Sequence, residues 1–250
     1  MSDHKITALV TGASAGLGAE FCRQLATRCE VIIGVARRGD RLAELVGQLP
    51  GEVEFHALEA DLNSVEGVAR TMETLRQKGP VDYLVNNAGF STFGQFAELP
   101  IDRQRDMVSL HIDTTITLCK AAIPFMCELG GGHIINVSSM GAFVPGKGLA
   151  VYGATKSFLN YYSLALQAEL AGTGIEVQAL CPGYIHTEFH AEMQDQGFDK
   201  KRIPDEMWMT PGEVVAASLA SLGSGRVLVV PGEGNQSVAK MGLQQQLDAL

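Results

Sequence analysis

The chain has 250 residues, of which 46% are apolar and 19% charged, and its formal net charge is −9. That length suits one α/β domain with a well-buried core, and the balance excludes a disordered or membrane-embedded chain. The negative charge argues against duplex nucleic acid or an anionic membrane as a partner.

Strand-like and helix-like runs alternate from the start. Residues 6–10 form a short apolar run with β character. Residues 16–28 follow with helical spacing, placing Leu17, Phe21 and Leu25 on one face. The apolar run 31–36 predicts a second strand, 41–49 a short amphipathic helix, and 53–58 a third strand. A helix is expected over 64–78 with Ser64 as N-cap, then a fourth strand over 81–86. A long helix should cover 102–128, disturbed at Pro124. A fifth strand (133–138), a second long helix (151–171) and a sixth strand (175–181) come next. Thr210 and Pro211 open a helix reaching 222, and 227–230 is a seventh strand closed by Pro231 and Gly232. Residues 191–209 and 234–250 lack a clear period, although 243–250 reads as a short helix. Apolar strands with intervening helices imply a parallel sheet with right-handed crossovers, buried on both faces. The expected architecture is a Rossmann-type doubly wound sheet of about seven strands within a single domain over 1–250.

The cysteines are five in number, Cys22, Cys29, Cys119, Cys127 and Cys181, with no C-x-x-C pair. An odd count without such spacing points to reduced thiols in a cytoplasmic protein, rather than to a disulfide framework or a zinc site. The opening Met-Ser-Asp-His-Lys has no signal-peptide pattern. No apolar run approaches the roughly 20 residues needed to span a bilayer. His186 and His190, with Glu188 between and Glu192 beyond, have a metal-like spacing but no H-E-x-x-H pattern, and they are read as solvated or pocket-lining.

The first strand runs into Thr11-Gly12-Ala13-Ser14-Ala15-Gly16-Leu17-Gly18. Gly12 would permit a tight turn, Gly16 the close approach of a pyrophosphate, and Gly18 close helix packing. The helix that follows offers free N–H groups and a positive dipole end to an anion. The second strand ends in Ala36-Arg37-Arg38, where an acidic side chain would have favoured NAD. A guanidinium fork suits a 2′-phosphate instead, so NADP(H) is expected, with Arg37 as main contact and Arg38 in support. Asp40 close behind leaves NAD open.

Tyr152 and Lys156 are four apart on an expected helix and share a face. An ammonium beside a phenol would lower its pKa toward a value useful for acid/base catalysis. Tyr161 and Tyr162 nearby are read as packing residues. Ser138 and Ser139 both follow the fifth strand and compete for the role of hydroxyl donor.

The spacing G-x-x-x-G-x-G over 12–18 resembles the fingerprint of the short-chain dehydrogenase/reductase family. The resemblance continues through Asp61-Leu62, Asn86-Asn87-Ala88-Gly89, Ser139, Tyr152-Gly153-Ala154-Thr155-Lys156, and Pro182-Gly183 with Thr187 beyond. It implies an enzyme reducing a carbonyl with NADP(H), reversibly, in which Tyr152 is the acid/base, Lys156 supports it and Ser139 holds the substrate oxygen. Ser139 is preferred over Ser138 because its interval to Tyr152 is the family's. The resemblance further implies that Asp61 and Leu62 contact adenine, that Asn87, Ala88 and Gly89 flank the cofactor, and that Pro182, Gly183, Ile185 and Thr187 hold the nicotinamide carboxamide. It implies a homodimer or homotetramer and no metal.

One position departs from the family, which usually has a relay asparagine where this chain has His111. A histidine could hold the same water or merely pack. Residues from about 186 to 210 are expected to form a lid carrying Phe189, Met193, Phe198, Met207, Trp208 and Met209. With Phe90, Met140 and Phe143 they would either line a pocket for a bulky apolar ketone, aldehyde or acyl group, or only pack the lid. A nucleotide-sensing regulator that has lost catalysis is the alternative, and the intact Ser139, Tyr152 and Lys156 argue against it. A sugar-nucleotide epimerase or dehydratase fits less well, because only a short stretch follows Pro182-Gly183.

Overall fold

A computed structural model describes residues 4–250, and every side chain among them except those of Ala191 and Glu192. The opening residues Met1–Asp3 and the Glu192 side chain, each part of an expectation above, therefore lie outside the described residues. The elements are β1 (Thr7–Thr11), α1 (Gly16–Leu25), β2 (Val31–Ala36), α2 (Gly39–Val46), β3 (Glu54–Glu59), α3 (Val65–Lys78) and β4 (Tyr83–Asn86). Then come α4 (Ile101–Val108), a π-helical turn (Ser109–Asp113), α5 (Thr114–Leu129), β5 (Gly132–Val137) and α6 (Ala150–Glu169). The chain continues through β6 (Ile175–Leu180), β7 (Tyr184–Ile185), α7 (Ala191–Asp195), β8 (Trp208–Met209), α8 (Pro211–Ser221), β9 (Leu228–Val229) and α9 (Glu233–Asp248).

Seven strands form one parallel sheet in the order β3-β2-β1-β4-β5-β6-β9. Successive residues point to opposite sides of a strand, and here both sides are apolar. Leu9, Leu84 and Ile134 join the core formed with α5 and α6, while Ala8, Val10, Val85 and Ile135 join the core formed with α1 and α8. This explains the unbroken apolar runs of β1, β2 and β4. β3 departs from that pattern: at the sheet's edge it has no fully buried residue, and it carries Glu54, His56 and Glu59. Charged side chains on such an edge oppose pairing with another chain.

Several boundaries differ from the sequence reading. The expected long helix is not continuous, because five residues at 109–113 take π-helical hydrogen bonding, while α5 runs straight on through Pro124. The tail expected to be mostly irregular is a 16-residue helix, α9, whose buried Asn235, Ala239 and Gly242 face the sheet's end. Within 191–209 the chain carries the short helix α7, two 3-10 turns and β8, which pairs in parallel with β7. Tyr162 stacks on Phe158 at 5.6 Å as a packing residue should, but Tyr161 is 77% exposed and does not pack in the core.

Candidate active site

The strand order reverses between β1 and β4, and loops leaving the two carboxyl ends diverge there to leave a crevice. The glycine turn follows β1 on one side. Gly12 has φ +67, and a Cβ on Gly18 would stand 2.2 Å from the Gly12 carbonyl oxygen, so helix α1 meets the turn only through a residue without a side chain. Asn87 ties the second loop to the first: its backbone N–H donates to Thr11 Oγ1 at 2.9 Å and its side-chain amide to the Thr11 carbonyl at 2.9 Å. Ala88 N–H donates to the same hydroxyl at 3.0 Å. Asn86 points the other way, into a buried network with Asn136 and Ser163.

Leu62 is buried, and its carbonyl accepts from Thr114 at 2.9 Å, while Asp61 is exposed and accepts from the Asn63 N–H at 3.0 Å. At the far end, Pro182 accepts from Met140 N–H at 2.9 Å, Gly183 lies against Asn235, and Ile185 is buried in β7. Thr187 faces the glycine turn: a Cβ on Gly16 would be 3.3 Å from its methyl group. Gly16 and Leu17 open helix α1, with Gly16 facing Thr187 and Ser14 just before them.

The two arginines behave differently. Arg37 is exposed and, among the described residues, pairs with no acidic group. Arg38 reaches back over the glycine turn, donating through Nη2 and Nε to Ser14 Oγ at 3.1 and 3.3 Å. The same guanidinium holds Glu188 at 2.6 Å. Arg38 is thus the guanidinium held over the turn, while the Arg37 side chain stays exposed beside it.

The catalytic candidates converge below. Ser138 turns inward and donates to the Lys156 carbonyl at 2.9 Å, whereas Ser139 caps a short 3-10 turn by accepting from Gly141 N–H at 3.0 Å. Ser139 lies within hydrogen-bonding reach of the Tyr152 phenol. Lys156 is buried, donates to the Val137 carbonyl at 2.8 Å, and holds Nζ 5.7 Å from the Tyr152 ring centre. Burial lowers this ammonium to about 7. Burial likewise pushes the Tyr152 phenol up to about 12, against a smaller downward pull from Ser139. The phenol is therefore raised in the protein's own field, not lowered as expected from the neighbouring ammonium: burial outweighs the pull of Ser139, so Tyr152 keeps its proton near neutral pH.

His111 sits on the π turn and is 1% exposed. Thr155 Oγ1 donates to the Tyr152 carbonyl at 2.8 Å, so it accepts from His111 Nδ1 at 2.9 Å. That assigns the proton to Nδ1 and leaves Nε2 to accept from Phe90 N–H at 3.3 Å. Both ring nitrogens are engaged, and burial together with Lys156 holds the imidazole well below its usual pKa. Gly89 is the residue that makes room, since a Cβ there would be 2.6 Å from Nε2.

The aromatic residues expected to line a substrate pocket divide. The Phe189 ring lies 6.2 Å from that of Tyr152, and Phe90 lies 6.3 Å from His111 with the Arg103 guanidinium over its face at 4.2 Å. Phe198 and Trp208 pack instead around Tyr184 and His190, and His186 stacks on Trp208 at 5.1 Å. Met193 and Phe143 are buried, Met140 packs beside Phe143, and Met209 packs on the main core. Among the described residues there is no cluster of three or more metal-ligating side chains.

Sequence reasoning gave no role to Thr155 or Gln196, and took Glu188 only as a solvated or pocket-lining residue. Thr155 was findable as the residue one turn after Tyr152 on the same helix. Gln196, whose amide oxygen accepts from Phe93 N–H, and Glu188 act across the fold and have no local signal.

A glycine turn at the sheet's switch point, with donors of the right chemistry for phosphates, fits a dinucleotide. Comparison with known proteins agrees. The short chain dehydrogenase model matches residues 6–197. A probable NADP-dependent dehydrogenase of Haemophilus influenzae is 36% identical over 194 residues, covering 74% of this chain and 76% of its own. An acetoacetyl-CoA reductase of Acinetobacter is 32% identical over 225 residues, covering 87% and 90%. Among solved structures, a short-chain dehydrogenase from Sphingobium yanoikuyae in complex with NADPH aligns with a TM-score of 0.85 at 31% identity, covering 98% of this chain and 95% of its own. By fold, site and sequence, this chain belongs to the short-chain dehydrogenase/reductase family of oxidoreductases.

Proposed function

We propose that the protein is an NADP(H)-dependent carbonyl reductase, reversible as an alcohol dehydrogenase. The observation that carries this reading is the convergence of Ser139, Tyr152 and Lys156 at the carboxyl end of the sheet, beside the glycine turn. Bound NADPH would supply the hydride to the carbonyl carbon. Gly12, Ser14, Gly16, Leu17 and Gly18 would take the pyrophosphate through backbone N–H groups and the start of α1. Arg37, supported by Arg38, would take the 2′-phosphate. Asp61 and Leu62 would meet the adenine, Asn87, Ala88 and Gly89 would wall the ribose side, and Pro182, Gly183, Ile185 and Thr187 would hold the carboxamide. Lys156 would hold the nicotinamide ribose.

Tyr152 gives its proton to the oxygen that becomes the alcohol. A phenol that is still protonated at neutral pH is the correct starting form for that direction. Ser139, oriented by the Gly141 N–H, has its own proton free to stabilise the developing charge. His111 serves as a neutral strut between the Phe90 loop and helix α6, because neither ring nitrogen is free to hold a relay water.

Residues from about 186 to 210 act as the lid within a single catalytic domain. Phe90, Phe189 and Met140 favour an apolar carbonyl, and the acetoacetyl-CoA reductase relative extends that class to acyl-linked ketones. The exposed apolar residues Tyr161 and Leu164 on α6 support a homodimer or homotetramer, and five free thiols support a reducing, cytoplasmic setting. No helix among the described residues is long and apolar enough to cross a membrane.

The test is NADPH consumption across a panel of ketones, aldehydes and 3-oxoacyl thioesters. Tyr152→Phe should lower kcat by about 10²–10⁴-fold while leaving NADPH affinity nearly unchanged. Turnover that survives this substitution would remove Tyr152 from the chemistry.

A further inference from the structure

We infer that Glu188 is a cofactor-discriminating residue, an internal anion that competes with the 2′-phosphate for Arg38. The inference rests on the NADP(H) reading above and extends it to a residue from the opposite side of the cleft. Arg38 touches two partners at once, the Ser14 hydroxyl on the glycine turn and the Glu188 carboxylate on the segment between β7 and α7. The contact with Glu188, at 2.6 Å, is the shorter. Other acidic groups stand near: Asp40 follows on α2, and the Glu59 carboxylate lies against Gly39 at the end of β3. Glu188 is the one in direct contact with the guanidinium.

A phosphate monoester carries up to two negative charges near neutral pH, and it takes a guanidinium through paired charge-assisted bonds. A carboxylate already on that fork must leave, since two anions sharing one guanidinium repel each other. The pair is half-exposed, 45% for Arg38 and 49% for Glu188, so its own attraction is weak enough to be exchanged. A dinucleotide that lacks the 2′-phosphate makes no such demand. Glu188 therefore penalises the phosphorylated cofactor selectively, and its departure moves the residue directly before Phe189, the ring beside Tyr152.

The chain carries its own reporter. Trp208 is the sole tryptophan, and it stacks on His186, two residues before Glu188. The experiment measures binding of NADPH, NADH, 2′,5′-ADP and 5′-AMP to the wild type, Glu188→Gln, Glu188→Ala and Arg38→Ala, together with tryptophan emission. Glu188→Gln and Glu188→Ala should each tighten NADPH and 2′,5′-ADP by about fivefold and leave NADH and 5′-AMP unchanged. Without nucleotide, their emission should already match that of the wild type saturated with 2′,5′-ADP. Unchanged 2′,5′-ADP affinity in both Glu188 variants, or equal tightening of 5′-AMP, overturns the inference while the NADP(H) reading stands. A wild type that shows no preference for NADPH, together with an Arg38→Ala variant that loses none, overturns the NADP(H) reading itself.

Discussion

The chemistry turns on how burial treats a few side chains. Tyr152 and Lys156 are driven toward their neutral forms by the same desolvation, the phenol up to about 12 and the ammonium down to about 7. The spacing of these residues was legible in the sequence because one helical turn fixes a shared face. The sign of the phenol's shift was not, because it depends on how much protein surrounds the ring. Gly18 presents a simpler case. A methyl group at that position would stand 2.2 Å from the Gly12 carbonyl oxygen, and no rotamer can relieve a Cβ contact with backbone. Gly18→Ala should therefore lose about 1–3 kcal/mol in urea unfolding and weaken NADPH binding by about tenfold or more, as titration would show. His111 illustrates the limit of reading by position. Its place in the sequence left a water relay and a packing role equally open, and only the folded chain shows both ring nitrogens bonded, to Thr155 and to the Phe90 N–H.

Elements with strong local chemistry were the ones the sequence located well. Thr210 accepts from Glu213 N–H at 3.2 Å while the Glu213 carboxylate accepts from Thr210 N–H at 2.8 Å, closing a reciprocal cap at the start of α8. The pattern Thr-Pro-Gly-Glu announces it. Thr210→Ala should cost about 1 kcal/mol, read as a lower urea midpoint with an unchanged slope. Ser64, capping α3 through Gly67 N–H at 2.9 Å, was equally legible. The π turn at 109–113 was not, since one extra residue in a helical hydrogen-bond ladder leaves no mark on composition. Helix α9 was hidden for another reason. Its glycines at 234 and 242 and its run of glutamines weaken the apolar period, and packing against the catalytic turn supplies what propensity does not. The pairing of β7 with β8 joins segments too short to carry a strand signal.

The assembled protein should be sensitive to acid in a defined window. Burial lowers His190 from 6.5 to about 4 and holds His111 well below its usual range. Both are bases whose neutral form is favoured by folding, so below 6.5 the unfolded chain binds protons that the folded one refuses. Stability is then full above pH 6.5 and falls as pH drops, by about 1.4 kcal/mol per pH unit for each such group. For His190 the loss ends near pH 4, where the folded form also takes its proton. Urea unfolding at pH 7, 6 and 5 should show the decline, and His190→Phe, which keeps an aromatic ring among Tyr184, Phe198 and Trp208, should flatten it. A slope unchanged by His190→Phe would assign the acid sensitivity elsewhere. The doubly wound form, by contrast, was legible in the sequence, because alternating strands and helices with right-handed crossovers build a parallel sheet, whereas the strand order itself shows only in the folded chain.

Helix α9 also has a bearing on synthesis. Gln246 donates to the Phe143 carbonyl at 2.7 Å, and Gly242 rests against the same oxygen, so the turn that carries Ser139 is propped by a segment about a hundred residues further along. On the ribosome, the glycine turn and its strands emerge early and can pair with one another, whereas the Ser139 turn must wait for this late buttress. The nascent protein can thus shape its nucleotide crevice well before the wall against which a substrate would rest has its final support.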